Sequence, residues 1–417
     1  MQRTFDVAAV REQFPALART HNGRRAVYFD GPGGSQVAKP AIEAVSGYMT
    51  RGGANLHGPF PTSVETEEIL RDTRQAMADL LGTEPEEIAF GANMTTLTFA
   101  ISRSLARTWD EDSEIVVTEL DHRANVDPWL LAAAERGATV RWVRVNPETI
   151  TLEQDDIERV VTDRTKLVAV GLASNAVGTV NDVAAIAELA HEAGAFVAVD
   201  AVHAAPHIPV DRDGVGADIL TCSAYKFFGP HVGVSAVKRD LLETLAAYKV
   251  EPAPDYIPDK LETGTQNHEG IAGVKGAIDF IASLGEGSSQ RERLISGMRA
   301  IEDYEADLAE KFRAALREIP GIKLYAAPDG VRKTPTIAFR FDGHTPTEVT
   351  EHMVDDGFFV ADGHFYASTL ARKLGIHDRG SWVRAGLAPY NTAQEVEAFI
   401  GSLVRFTGKA KPASAGV

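Results

Sequence analysis

The residues of this chain best suited to chemistry are an aspartate and a lysine that each follow an apolar run within Val197–Gly233. One run, Phe196–Val199, ends in Asp200. A second, Asp218–Cys222, leads into Ser223 and Lys226. Apolar runs of this length, bounded by turn residues, are expected as buried strands. Burying either charge without a partner is costly. A bound aromatic cofactor would account for both: the lysine would hold it as a Schiff base, and the aspartate would pair with a protonated ring nitrogen. Pyridoxal phosphate needs that arrangement. A structural Asp–Lys ion pair is the alternative.

Further polar residues are expected just past other strand ends. His122 could stack on such a ring, and Asn175 and His203 could hydrogen-bond its ring oxygen. Thr95, Thr96, Ser223 and Tyr225 offer donors for a phosphate. The stretch Gly91–Thr96 reads as a small-residue turn opening a helix at Leu97, a natural phosphate seat. Alternatively, Thr95 and Thr96 simply cap that helix. Arg384, flanked by apolar residues in Trp382–Gly386, suits bidentate capture of a substrate carboxylate. Asn55 and His57 stand in an irregular loop, Arg51–Pro61, and are expected to bind substrate. That loop and Ala361–Leu370 are expected to select the substrate side chain.

Other chemistries fit less well. His203 and His207 have the spacing of a helical metal pair, but Pro206 breaks the helix and a third ligand is missing, so no metal is expected. Cys222 is the single cysteine. It excludes an internal disulfide and reads as a small buried hydrophobe. Gly31–Gly34 lacks the spacing of a dinucleotide fingerprint and is expected as a turn that lets backbone approach a ligand.

The elements that must position these groups alternate. Strands are expected at Ala26–Asp30, Ile88–Phe90, Glu114–Thr118, Thr139–Val145, Lys166–Ala173, Phe196–Val199 and Gly233–Val237. Helices fall between most of them, including one opened by a capping box at Thr62–Glu65. This pattern predicts a mostly parallel sheet covered by helices, with ligands beyond the strands' C-terminal ends. A long helix near Ser289, with a stripe from Ile295 to Leu316, opens a smaller α+β region. We expect an N-terminal segment (1–25) packing with the small domain, a large domain (26–280) and a small domain (281–417), with a frayed tail from Gly408. The net charge of −17 excludes a broad basic footprint for nucleic acid or anionic membrane. No run approaches the roughly 20 apolar residues that span a bilayer, and the N-terminus lacks a signal peptide's apolar core. A cytoplasmic protein is expected.

With these residues in view, the chain resembles the class V aminotransferase family of fold-type-I pyridoxal phosphate enzymes, within it the cysteine desulfurase/selenocysteine lyase-like branch. The resemblance runs from Tyr28-Phe-Asp30 to Tyr390-Asn-Thr392. It is most specific at Asp121–Trp129, Ser174–Val180, Asp200 and Ser223-Ala-Tyr-Lys226. It implies a seven-stranded, mostly parallel sheet sandwiched by helices, plus a smaller α+β C-terminal domain. It makes Lys226 the lysine that binds the cofactor, with Asp200 on the pyridinium, His122 on the ring, and Asn175 and His203 near its hydroxyl. Thr95, Thr96, Ser223 and Tyr225 would line the phosphate, and Arg384 would hold the substrate carboxylate. Thr265 would reach the phosphate in a neighbouring subunit, implying a homodimer with shared sites. There are three departures. His203 stands where the family has glutamine, Tyr225 where it has histidine, and Tyr366 or a neighbour where desulfurases carry a persulfide-forming cysteine. The expected reaction is therefore C–S cleavage of cysteine or a cysteine conjugate without a persulfide carrier. Alternatives are transamination or epimerisation of a small amino acid, and a non-catalytic binding module on the same scaffold.

Overall fold

A computed structural model describes residues 5–407. Its centre is a seven-stranded sheet: β1 (Ile88–Gly91), β2 (Glu114–Thr118), β3 (Thr139–Val143), β4 (Thr165–Gly171), β5 (Phe196–Asp200), β6 (Ile219–Ser223) and β7 (Gly233–Val237). The order across the sheet is β1-β7-β6-β5-β4-β2-β3. All pairings are parallel except those of β7, which is antiparallel to both neighbours. β2, β6 and β7 are buried along their whole length, as strands covered on both faces must be. Side chains alternate between two cores. Val197 and Val199 join one, while Ala198 joins the other. In register, Asp200 stands opposite Thr221 of β6 and Gly171 of β4, so the C-terminal ends of three central strands meet at one rim.

Two helix starts differ from expectation. The helix expected from the capping box at Thr62 instead begins at Pro61, with Phe60 before it and no side-chain cap. Proline's fixed φ at the first position opens the helix without one. The helix expected from Leu97 begins at Met94, because Asn93 is the cap: its side chain accepts the Thr96 N–H at 2.9 Å, and the Thr96 hydroxyl completes the box. The N-terminal stretch expected as strand Ala26–Asp30 forms a strand only at Val27–Tyr28, in parallel with Phe358–Phe359, and Asp30 adds a single parallel bridge to Gly386.

A helix at His268–Ser283 escapes a propensity reading because Gly270, Gly273 and Gly276 lower its intrinsic helicity. Packing requires two of them, Gly273 against Val45 and Gly276 against Pro40. A side chain at Gly276 would meet the Pro40 carbonyl at 2.5 Å, so glycine lets this helix close on Lys39–Arg51.

The second sheet holds β8 (Ile322–Tyr325), β9 (Thr336–Phe341), β10 (Ala361–Gly363) and β11 (Trp382–Gly386). Its order is β8-β9-β11-β10, antiparallel throughout. The helix Gln290–Arg317, capped by Ser289 and Glu292, packs behind it. The buried stripe of that helix runs through Leu294, Met298, Ile301, Leu308, Phe312 and Leu316, with Glu305 buried among them. Ile295 and Tyr304, expected on this stripe, are half-buried. Phe14 in the N-terminal segment packs on Phe228, Phe280 and Tyr390, with ring centres 4.7–5.7 Å apart. The tail from Gly408 lies outside the described residues. Among the described residues no helix is long and apolar enough to cross a membrane.

Candidate active site

At the C-terminal rim of β4, β5 and β6, facing β11, lies a cleft of about 980 Å³. It gathers most of the expected site residues. Asp200 ends β5, and Ser223 ends β6. Tyr225 and Lys226 occupy the single helical turn that follows. Thr95 and Thr96 come from the start of the helix Met94–Leu105, His122 from beyond β2, and Asn175 and His203 from beyond β4 and β5. Arg384 enters from the middle of β11. A side chain on Gly233 of β7 would overlap the backbone of Asn93, so glycine is what lets the helix start approach the sheet here.

Asp200 is buried, and its carboxylate accepts the Val202 N–H at 2.8 Å. Burial pushes its pKa up to about 6, against the pull of that N–H and of Lys226. Lys226 Nζ donates to the Gly33 carbonyl at 3.1 Å and to the Pro32 carbonyl. The glycine-rich turn after Asp30 is thus a backbone cradle for the lysine. Burial, and then the nearby Arg384, push the Lys226 amine down to about 7; Asp30 and Asp200 act the other way. The same two cations, after burial, hold the His122 imidazole down at about 4, so it stands neutral. Arg384 is buried and donates from Nη1 to the Asn175 carbonyl at 2.9 Å, with Asp30 Oδ1 3.4 Å from Nη2.

Two side chains do something other than expected. Ser223 Oγ accepts the Met94 N–H at 3.0 Å, tying the helix start to β6. Asn175 Nδ2 donates to the Phe365 carbonyl at 2.8 Å. Both remain on the cleft wall. His203 Nε2 bonds the Thr334 and Thr336 hydroxyls at 3.0 and 2.8 Å. His207 pairs with buried Glu305 at 2.8 Å, and no cluster of three metal-ligating side chains occurs among the described residues.

Asn55, His57 and Thr265 are not brought to this cleft. They share a separate pocket of about 300 Å³ beside Glu262 and His268. Two cleft residues, Asp121 and Phe365, and the Arg384 partner Asp30 were not named among the expected site residues. Asp121 is buried, accepts the Gly171 N–H at 2.9 Å, and is raised to about 7 by burial and, more weakly, by Asp200. Asp30 pairs with Arg384, and Phe365 lies over it. Asp30 directly follows an apolar run, and Asp121 lies three residues past β2 and opens the Asp121–Trp129 motif. Phe365 belongs to the Ala361–Leu370 loop expected to select the substrate, but nothing in the sequence marks its contact with Arg384.

The residues present fit pyridoxal phosphate. Asn175 Oδ1, His203 Nδ1 and Arg384 Nε are buried without a partner, although buried polar atoms are nearly always paired. The donor set matches the group's chemistry as well: an amine for its aldehyde, a carboxylate for its ring nitrogen, and hydroxyls beside a helix start for its phosphate.

Comparison with known proteins agrees with this geometry. The family description "Aminotransferase class-V" matches residues 27–399. A cysteine desulfurase of Klebsiella pneumoniae is 31% identical, the match covering 96% of this chain and 98% of that protein. The aminotransferase-like protein FGM3 of Gibberella zeae is 31% identical over the same shares of both chains. Among solved structures, the apo cysteine desulfurase of Thermococcus onnurineus superposes with a TM-score of 0.88. It is 26% identical, with 98% of this chain and 100% of that one covered.

Proposed function

This chain belongs to the class V aminotransferase family of pyridoxal-phosphate-dependent enzymes, and from that premise we propose that it cleaves the C–S bond of cysteine or a cysteine conjugate without a persulfide-carrying cysteine. The observation that carries this reading is the placement of Cys222. It is the single cysteine, wholly buried in β6, and burial, then Asp200, push its thiol pKa far up. A buried, protonated thiol is neither nucleophile nor sulfur carrier. Tyr366, at the cleft mouth, bears a phenol that cannot form a persulfide.

The cofactor, when bound, supplies an electron sink for the carbon bearing the amino group. The chain's own residues do the rest. Lys226 would hold the cofactor, and its Nζ is placed to take the substrate's Cα proton; an amine with a pKa near 7 is suited to that exchange. Asp200 would face the cofactor's ring nitrogen and favour its protonated form, and a cation there would offset the burial that raises the Asp200 pKa. His122 presents a neutral ring face. Asn175 and His203 serve the ring oxygen, and Thr95, Thr96, Ser223 and Tyr225 the phosphate. Arg384 orients the substrate carboxylate. The sulfur leaves from Cβ, and with water the products are a thiol, pyruvate and ammonia.

The same reading includes a homodimer with shared sites in the cytoplasm. Asn55, His57 and Thr265 stand together on a surface pocket away from their own cleft, where they can complete the cleft of a second copy. Purified holoenzyme tests the reaction. Cysteine and S-substituted cysteines should yield pyruvate and ammonia; an oxo acid that retains the sulfur, with stoichiometric pyridoxamine phosphate, would make transamination the activity instead.

A further inference from the structure

The turn His364–Ala367 at the cleft mouth is held in an uncommon backbone conformation. Phe365 and Tyr366 are both left-handed, at φ of +50° and +59°, a conformation that residues with side chains adopt at a cost. Three bonds keep them there. Asn175 Nδ2 donates to the Phe365 carbonyl at 2.8 Å, the Arg123 N–H to the Tyr366 carbonyl at 2.9 Å, and the Tyr366 N–H to His364 Nδ1 at 3.1 Å. The two rings go to different places. The Phe365 ring centre lies 3.6 Å from the Arg384 guanidinium carbon. Tyr366 stays 67% exposed, its ring centre 5.2 Å from that of His122.

We propose that this turn selects the substrate: Phe365 covers one face of Arg384 so that its edge meets a carboxylate, and Tyr366 offers its ring to the group beyond Cβ. The preferred substrate is then an amino acid carrying a neutral apolar substituent on sulfur rather than free cysteine. This rests on the C–S cleavage reading above. Charge supports it, because the cations at the cleft are already engaged: Arg384 by the carboxylate, Lys226 by the cofactor, and Arg123 by Asp127 and the Thr369 hydroxyl.

Calorimetry on the holoenzyme with two unreactive acids tests this. S-benzyl- and S-methyl-3-mercaptopropionate both lack the amino group, so neither can enter the reaction. Wild type should bind the benzyl acid roughly tenfold more tightly, the scale of one aromatic contact. Tyr366→Ala should erase that preference, Tyr366→Phe should keep it, and Phe365→Leu should weaken both acids alike. Retained visible absorption of the cofactor checks that each variant is folded. Equal affinities in wild type, or a benzyl preference that survives Tyr366→Ala, would overturn the proposal. A clear preference without pyruvate from S-benzylcysteine would instead sink the reaction reading and leave the specificity assignment standing.

Discussion

Two groups of expected site residues meet different fates in the fold. Asp200, Ser223 and Lys226 converge because β5 and β6 are parallel neighbours whose ends share one rim. Asn55, His57 and Thr265 come from loops and gather in a second pocket, well apart from the first set. The cleft has its own lysine, carboxylate and arginine, and three unpartnered polar atoms. The loop pocket is lined by the carboxylates Asp259 and Glu262 and has one unpartnered atom, Gln266 Oε1, but no lysine or arginine lines it. On the proposed reading, one chain builds most of a site and displays the remainder for another copy.

Removing the centre of the cleft should have the largest effect. Lys226→Ala should abolish the visible absorption of lysine-bound cofactor and cost roughly a thousandfold or more in turnover; a variant that stays coloured and active would show that the wrong lysine is assigned. The depressed pKa of that amine makes a kinetic prediction. Only a neutral amine attacks an aldehyde, so capture of added cofactor by apo-protein should rise with pH through about 7 and then level off. A rate still climbing at pH 9 would mean an ordinary lysine. Arg384→Ala should raise the KM for amino acids roughly ten- to a hundredfold, the scale of one charge-assisted contact, and leave cofactor absorption in place.

The second pocket can be broken separately. Thr265→Ala should weaken cofactor affinity by up to roughly tenfold. Mixed dimers of Thr265→Ala with Lys226→Ala should regain one tight site, because the Lys226→Ala copy lends its intact Thr265. No regain on mixing, or a monomer in solution, would remove the division of labour between the pockets. The smallest effect belongs to Cys222→Ala, which should cost about 1 kcal/mol of stability from a lost core contact and nothing in turnover.

The contrast also explains what the sequence disclosed. Strand ends were legible because a buried strand is a continuous apolar run, and a charge that closes such a run stands out, as at Asp200. The helix His268–Ser283 was hidden because two of its glycines serve contacts with Lys39–Arg51, and such contacts override local propensity. The start of the Met94 helix was misplaced because Asn93 and Thr96 could both be caps, and only the folded backbone chooses between them. Asp121 was legible as a polar group on the ligand-binding rim but without a role, and Asp30 only as the end of a strand. Phe365 was legible as part of the Ala361–Leu370 loop but not as the partner of Arg384: that contact joins a turn to a strand, and its left-handed backbone has no glycine or asparagine to announce it.

The most direct test of the central claim is product analysis with Cys222→Ala holoenzyme supplied with an S-substituted cysteine. The account predicts pyruvate, ammonia and free thiol in equal amounts at the wild-type rate. Loss of turnover in this variant, or an oxo acid that still carries its sulfur, would contradict C–S cleavage without a protein thiol.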